Sequence, residues 1–527
     1  MQFTVKYKDI KNIGVYMQGL KVRYIIGVVL LSVTGFSSAE ALQPDPAWQQ
    51  GKLENGFNWQ LLQTPQRPND RIQLRLAIKT GSLSEKASEK GYSYLLPRMA
   101  LYHQTEAFPA SVLQDFWRQA SDPDMPLPPA VVSYDYTIYS LSLPNNRPDL
   151  VKQALNWLAT SVAGAKYTET SLHNGLTVKN LPVATLPVNA NDPVWRARLN
   201  GSAMLGYDPG QKPNGNVDLA SVNSFYQKWY TPDVMTLYVA GHVDARMLSD
   251  SITQAFSPLE GKRSEPVAVA VLSAVKPQAI DILQENQSKD TLSLIWDIDW
   301  LPIKDSNVLL RYWGSDLARE AIYRSLQRTF NQKFPGDEVT SGLDCRVQYQ
   351  KASCTLAVTA SPEKMAAVSD VMLSELATIN QNGIDPELFN AMMKEKQLQL
   401  SQLFAAYART STDVLISQRL ISQQNGVVDI APEQYQLLRQ TFLGSQNIDQ
   451  VNMEARRLLS QEAAIVLAQP KEKQTMDAEQ IRQKFTQTLW PTLPVPVVDA
   501  SPEASKVVEQ QENEPAPALP IPKPLTR

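Results

Sequence analysis

The chain shows the same succession of strand and helix patterns twice, and this repetition limits the folds that it can adopt. The first stretch opens with the strand-like segments 57–62 and 72–78 and closes with the apolar strand 235–241. The second stretch opens with the alternating run 291–300 and closes with the apolar segment 463–468. Alternation at period two and short apolar runs are typical of strands, so the repeated order predicts an internal duplication.

Helical patterns lie between the strands of each stretch. In the second stretch, apolar residues recur at a spacing of 3.6 from Trp313 to Leu326, and Asp385 followed by Pro386 is typical of a helix start. With 527 residues, 43% of them hydrophobic, the chain is long enough for two cores. We expect an N-terminal domain over residues 42–265, a linker over 266–277, a C-terminal domain over 278–475 and a terminal helix over 476–490.

The first 41 residues resemble a secretory signal peptide. Lys21 and Arg23 precede a thirteen-residue apolar segment, 24–36, and small residues follow, which predicts cleavage after Ala39 or Ala41. Met17 is a possible true start. An uncleaved membrane anchor is the alternative, although the apolar segment is short for a span.

Loss of this leader makes the chain more acidic. The leader carries five basic and two acidic residues, so the formal net charge would change from −3 to −6 after cleavage at Ala41. Such a balance gives no support for binding nucleic acid or anionic lipid. We expect a periplasmic protein with no transmembrane span after cleavage.

Two segments have special composition. Cys345 and Cys354 would lie directly opposite each other in a hairpin that turns at Tyr349-Gln350, and an oxidising compartment would favour a disulfide between them; two buried free thiols are the alternative. The Pro-rich tail 491–527 is too poor in apolar residues to form a core, so we expect disorder, or a recognition segment for a partner.

Two blocks of sequence resemble the pitrilysin/insulinase family of inverted-motif zinc metallopeptidases. They are residues 50–100, with Leu53-Glu-Asn-Gly56 and Gly91 before a helix, and residues 225–244; the segment 383–388 is also similar. The resemblance implies an α+β fold of two related domains. Each would hold an antiparallel-rich sheet with helices on one side, and the two would face each other across a chamber that receives peptides.

The resemblance also implies a zinc site, but this chain lacks its residues. The family's His-x-x-Glu-His motif supplies two metal ligands and a general base from one helix, with a third ligand, Glu, from a later helix. The matching positions here are Tyr94, Pro97 and Arg98, and the interval 170–207 contains no Glu. We therefore predict no zinc, no other cofactor and no catalytic residues.

Arg98 and Pro97 oppose such a site on physical grounds. Arg98 has no lone pair, and its charge about 4 Å from Zn²⁺ would be repelled by roughly 8 kcal/mol at an effective dielectric of 20. Pro97 is expected to start or kink the helix, which would move Tyr94 off the face of Arg98. Arg98 either reaches a carboxylate within a structural core or captures a peptide carboxylate or carbonyl in the old site.

Other residues give no alternative metal site. His103, His173 and His242 have no spacing typical of paired ligands, so each is expected to be a lone surface or core residue. Asp297 and Asp299 share a strand face and are expected to mark a solvated surface.

Peptide binding does not need a metal, because family members add substrate as a strand to a sheet edge. The family's Asn-Ala pair beside that edge matches Pro129-Ala130, and Pro129 lacks the N–H group. We expect a non-catalytic homologue that binds a peptide or protein in the chamber, with a homodimer possible. The alternatives are a structural partner subunit of an active family member and a zinc-dependent peptidase with ligands of another kind.

Overall fold

The computed structural model describes residues 41–490, apart from 68, 125, 146, 179–181, 188, 286 and 337–338. The leader up to residue 40 and the tail 491–527, with the predictions made for them, lie outside this range. The first described residues join the second half of the chain: the Leu42 amide donates to the Lys304 carbonyl at 3.0 Å, and the Leu42 side chain is buried.

The described part of the first half contains a seven-stranded mixed sheet in the order β1-β2-β7-β3-β5-β4-β6. Two neighbouring pairs, β2 with β7 and β4 with β6, are parallel, and the other pairs are antiparallel. The strands are β1 (Trp48–Lys52), β2 (Asn58–Gln63), β3 (Ile72–Ile78), β4 (Ala130–Val132), β5 (Thr137–Leu143), β6 (Val183–Thr185) and β7 (Met235–Gly241).

Helices cover one face of this sheet. Leu74, Leu76 and Ile78 of β3 point into the main core of this half, which the helices complete. A π-helical turn, Leu158–Ala163, directly follows α3. The helices are α1 (Tyr92–Leu101), α2 (Ala110–Ala120), α3 (Pro148–Trp157), α4 (Glu169–Thr177), α5 (Pro193–Leu199), α6 (Leu219–Trp229) and α7 (Ala245–Phe256).

The second half contains a five-stranded sheet in the order β10-β11-β9-β12-β8, in which β8 and β12 form the parallel pair. The strands are β8 (Ala279–Gln284), β9 (Asp290–Asp299), β10 (Thr340–Gln348), β11 (Lys351–Ala360) and β12 (Ala464–Pro470). The helices are α8 (Ser306–Lys333), α9 (Pro362–Asn382), α10 (Pro386–Ser401), α11 (Leu403–Arg409), α12 (Thr412–Gln424), α13 (Pro432–Ser445), α14 (Ile448–Leu459) and α15 (Ala478–Leu489).

Two related halves that each join a sheet to helices agree with the α+β class predicted from the sequence. The start of α10 is confirmed in detail: the Asp385 carboxylate accepts hydrogen bonds from the amides of Glu387 and Leu388, and Pro386 is the first helical residue. None of the helices in the described part of the chain combines the length and the hydropathy of a membrane span.

The second face of the first sheet is covered by α12 from the other half. Leu415, Ile416 and Leu420 of α12 pack against Trp48 and Tyr238. Arg75 of β3 points to the same face, where its guanidinium is buried and donates to the Asp413 carboxylate at 2.6 Å. The two halves are therefore joined by a continuous packed surface and by a buried ion pair.

The hairpin between β10 and β11 has the register predicted from the sequence. Tyr349 and Gln350 form its two-residue turn, both with positive φ, and Cys345 pairs with Cys354. The two cysteines are joined by a disulfide, with their Cα atoms 4.1 Å apart. The Tyr349 ring at the tip lies in a small core with Tyr134 and other residues of the first half.

Candidate functional site

The helix α1 carries the three positions that match the zinc motif, and its start is fixed by Gly91 and Glu85. Gly91 has φ of 90°, and a Cβ atom there would lie 2.4 Å from the Pro213 nitrogen, so only glycine fits. The Glu85 carboxylate accepts hydrogen bonds from the amides of Gly91 (3.0 Å) and Ser93 (2.8 Å). Burial nevertheless raises the pKa of Glu85 above its ordinary value.

The helix does not start at Pro97, and the prediction that Tyr94 leaves the face of Arg98 is wrong. Pro97 lies inside a continuous helix, and Tyr94 shares a face with Arg98, whose Cζ atom is 5.4 Å from the centre of the Tyr94 ring. A proline removes one backbone hydrogen bond, here the bond to the Ser93 carbonyl. Tertiary packing of buried Leu95, Leu96 and Met99 holds so short a helix more strongly than its internal bonds do.

Arg98 links α1 to α4. Its Nε atom donates to the Gly175 carbonyl and an Nη atom donates to the Val178 carbonyl, each at 2.7 Å. These carbonyls belong to the C-terminal end of α4, where unpaired oxygens and the helix dipole favour a cation. The expected carboxylate partner is therefore wrong: Arg98 binds backbone carbonyls.

The two helices approach too closely at Gly175 for a side chain to stand between them. A Cβ atom on Gly175 would lie 2.7 Å from Met99 Cγ and 3.0 Å from Leu95 Cδ1, both on α1. The acidic residue that α4 does contain is Glu169, one residue before the interval 170–207, and its side chain is exposed in the first turn. About six residues of helix, roughly 9 Å, separate it from Gly175.

These residues do not fit a zinc ion. The tyrosine, proline and arginine of α1 offer neither an imidazole nor a carboxylate, and α4 presents a backbone surface to them. Among the residues that the structure describes, no group of three or more His, Cys, Asp or Glu side chains could hold a metal.

The three histidines lie apart, as lone residues. His103, just after α1, is buried, and its Nδ1 atom is 2.8 Å from Ser171 Oγ; burial lowers its pKa. His173 on α4 and His242 after β7 are exposed.

The sheet edge beside Pro129-Ala130 is occupied by the chain itself. Ala130–Val132, strand β4, pairs with β5 on one side and with the parallel strand β6 on the other. The Pro129 carbonyl accepts from the Ser140 amide at 2.9 Å, and the Leu186 amide continues the pairing by donating to the Val132 carbonyl at 2.9 Å. A peptide that approached β4 would meet β6 in the place where a strand could be added.

The expectation that Asp297 marks a solvated surface is wrong. Its side chain is fully buried and accepts two hydrogen bonds from Arg198 of α5, at 2.8 and 2.9 Å, and one from the Val275 amide at 3.0 Å. Asp299, two residues on, is 82% exposed and pairs with Lys351. Asp297 thus belongs to the junction between the halves.

Sequence reasoning missed three features of this region: the Glu85 cap, the close approach at Gly175 and the strand β6. Glu85 lies six residues before the helix that it caps, too far for a local capping pattern. Gly175 stands within a helix, where glycine is less favourable than alanine, and nothing in the local sequence shows that α1 approaches it. Three residues of β6 give no periodicity to read.

Comparisons with known proteins agree with this architecture. A family model described as "Insulinase (Peptidase family M16)" matches residues 62–181, and one described as "Peptidase M16 inactive domain" matches residues 216–396. The chain is 43% identical to protein YhjJ of Escherichia coli K12 over 501 residues, which is 94% of this chain and all of that protein. It is 23% identical to the probable zinc protease PqqL of the same organism, over 79% of this chain and 45% of that protein.

Solved structures of proteases are also similar to this chain in fold. A predicted insulinase family protease from Yersinia pestis matches with a TM-score of 0.83 and 49% identity, over 87% of this chain and 100% of the other. The periplasmic protease PqqL from Escherichia coli matches in fold, with a TM-score of 0.71 and 20% identity, over 88% of this chain and 53% of that one.

Proposed function

The chain belongs to the insulinase family of peptidases, M16, and we propose that it is a non-catalytic member that binds peptides or unfolded proteins. The proposal has two parts, loss of zinc chemistry and retention of a binding role, and they rest on different observations.

The bridge from Arg98 to α4 supports the loss of zinc chemistry. In an active member, the two helices would converge on a metal ion through two neutral imidazoles from the first helix and a carboxylate from the second. Here a permanent cation from α1 is bound by the carbonyls of Gly175 and Val178. A metal ion would have to displace Arg98 and break two charge-assisted hydrogen bonds before it met a ligand.

The binding role is supported by family membership, and β6 limits where it can operate. Because β6 pairs along β4, backbone pairing at that edge is already satisfied within the chain. A ligand held between the halves would therefore depend on side chains and on other backbone segments. The family's Asn-Ala pair is replaced by Pro129-Ala130, which is consistent with a binding mode that does not use the edge of β4.

The proposed compartment is the bacterial periplasm. The leader pattern at residues 1–41 supports export, and PqqL, which the chain matches in fold, is a periplasmic protease. The Cys345–Cys354 disulfide is also suited to an oxidising compartment.

A binding and cleavage assay with the purified full-length chain tests the proposal. Fluorescein-labelled casein is titrated with the protein, and fluorescence anisotropy reports binding while release of labelled fragments reports cleavage, with and without added zinc or EDTA. We expect saturable binding and no fragments in any condition. Fragments that disappear with EDTA would contradict the loss of catalysis, and absence of saturable binding would contradict the binding role.

The alternative role, as structural partner of an active family member, predicts a different result. The chain would then co-purify with a protein that contains an intact His-x-x-Glu-His motif, and casein would bind to the pair but not to the isolated chain.

A further inference from the structure

A cavity of about 410 Å³ lies in the second half, away from α1 and α4. Its floor is the end of the second sheet, where Trp296 and Ile298 of β9 lie beside the Cys345–Cys354 disulfide. Its walls are the part of α8 from Val308 to Tyr323 and the end of α14. Nearer the middle of the sheet, Leu294 and Leu356 on the same face are covered by the helices and are buried.

The cavity lining is mainly apolar. Its volume lies within the range of about 300–1,000 Å³ that is typical of ligand pockets. Large apolar side chains are exposed around it: Ile298 is 40%, Leu301 65% and Tyr312 37% accessible to solvent. These side chains would become buried by an occupant with an apolar body.

Among the charged residues of the lining, positive charge predominates. It includes four arginines and one acidic residue, Asp299, which pairs with Lys351. Arg346 and Arg457 have carboxylate partners in Asp344 and Glu454.

The other two arginines, Arg311 and Arg319, have unused donors. No described residue accepts a hydrogen bond from either guanidinium. Burial lowers the pKa of Arg319 from its ordinary value, and the nearby carboxylates of Asp316 and Glu454 oppose that shift. Arg311 is exposed and lies one helical turn after Val308 on α8. Arg319 is partly buried and lies two helical turns after Tyr312. An arginine fork of this kind suits a planar carboxylate.

We propose that this cavity binds a small amphipathic carboxylic acid. Its apolar body would lie against Trp296, Ile298 and Tyr312, and its carboxylate would accept hydrogen bonds from Arg319 and Arg311. The occupant is defined by this chemistry: a compact alkyl or aromatic group that ends in one carboxylate. The site is independent of casein binding, so either proposal can fail alone.

Isothermal titration calorimetry with decanoate tests the site in the full-length protein. Decanol and decylamine have the same alkyl chain with a neutral or a cationic head, and they isolate the contribution of the carboxylate. We expect saturable one-to-one binding of decanoate and at least about tenfold weaker binding of decanol, because a hydrogen bond to a charged group is lost.

Variants locate the site. Arg319→Ala and Arg311→Ala are each expected to weaken the binding of decanoate about tenfold while leaving the binding of decanol unchanged. Arg246→Ala, an exposed arginine on α7 with the same change of charge, is the matched control. Ile298→Trp is expected to abolish binding by filling the cavity, whereas Ile298→Val retains it.

An aromatic pair provides a second control. Tyr312→Ala should weaken the binding of decanoate. Tyr102→Ala should leave it unchanged, because Tyr102 has a similar exposure of 40% but lies after α1, outside the cavity. Circular dichroism establishes that each variant is folded. Equal affinity for decanoate and decanol, unchanged binding by Ile298→Trp, or no saturable heat for the unaltered chain would each overturn the proposal.

Discussion

Arg98 has a fixed partner, and this determines what the residue contributes. Two hydrogen bonds of 2.7 Å to α4 use two of its five N–H donors and give it a role within the chain, so capture of a peptide carboxylate by Arg98 is not needed to explain its presence. The residue acts as a cation at a helix C-terminus.

We therefore predict that Arg98→Ala lowers the free energy of unfolding by about 2–4 kcal/mol, because two charge-assisted hydrogen bonds are lost. Urea denaturation followed by circular dichroism measures the change. Arg246→Ala is the control and should stay within about 0.5 kcal/mol of the unaltered protein. Unchanged stability of Arg98→Ala combined with loss of casein binding would instead favour peptide capture by this arginine.

Asp297 is a second residue whose environment gives it a measurable property. Burial alone would raise its pKa, but hydrogen bonds from Arg198 and the Val275 amide outweigh burial and hold the pKa below the ordinary value of 3.8. A carboxyl group with a depressed pKa stabilises the folded state above that value, and the stabilisation is lost as the pH falls through the folded pKa.

The expected consequence is that the free energy of unfolding differs between the unaltered protein and Asp297→Asn by an amount that depends on pH. At pH 7 the variant should be less stable by about 3–5 kcal/mol, because Arg198 loses its buried partner. Between pH 4 and pH 2 the difference should shrink, since the unaltered carboxyl group is then protonated too. Unfolding free energies at pH 7, 4 and 3 measure it, and a constant difference would contradict the assignment.

At the level of helices and strands, the contact of α1 with α4 decides whether a metal site could be restored. Gly175→Ala would place a Cβ atom 2.7 Å from Met99 Cγ, so we predict a loss of about 1–3 kcal/mol through overpacking. The measurement is urea denaturation. Gly314→Ala on α8, where a Cβ atom would meet nothing within 4 Å, is the matched control and should be neutral or stabilising. If Gly175→Ala left the free energy of unfolding unchanged, α1 and α4 would be able to move apart, which would contradict the prediction.

The hairpin of β10 and β11 provides a prediction about oxidation. A thiol assay on the unfolded, unreduced protein should detect no free thiol, and Cys345→Ser with Cys354→Ser should lower stability by about 2.5 kcal/mol in the loop-entropy description. Two titratable thiols in protein isolated from an oxidising compartment would contradict the pairing.

Elements with strong local patterns could be predicted from the sequence, and those built by distant contacts could not. β3, β7 and the start of α10 were correctly placed because apolar runs and a capping aspartate act within a few residues. β6 has three residues and exists because β4 lies beside it.

The candidate site followed the same rule. The absence of zinc ligands at Tyr94, Pro97 and Arg98 was readable from residue types alone. The continuous helix through Pro97 and the carbonyl partners of Arg98 depend on how α1 and α4 pack, so the sequence predicted them wrongly. Asp297 is buried against Arg198, which lies 99 residues earlier, so the sequence around Asp297 could not predict its burial either.

Across the whole molecule, charged contacts join the two halves through their buried faces. Arg75 binds Asp413, and Arg198 binds Asp297, in each case from the first half to the second. Arg419 of α12 also donates to Gln60 of β2 at 2.9 Å. Such contacts fix the orientation of the surfaces that pack together, so substitutions there are expected to affect both halves at once.

We propose that this member of a zinc peptidase family binds no zinc, because Arg98 of α1 is hydrogen-bonded to α4 where metal ligands would be needed. Metal analysis of the full-length chain, purified without chelator and equilibrated with zinc, tests it most directly when paired with the casein cleavage assay. We expect zinc far below one ion per chain and no cleavage. One tightly bound zinc ion per chain, with casein cleavage that EDTA abolishes, would contradict it.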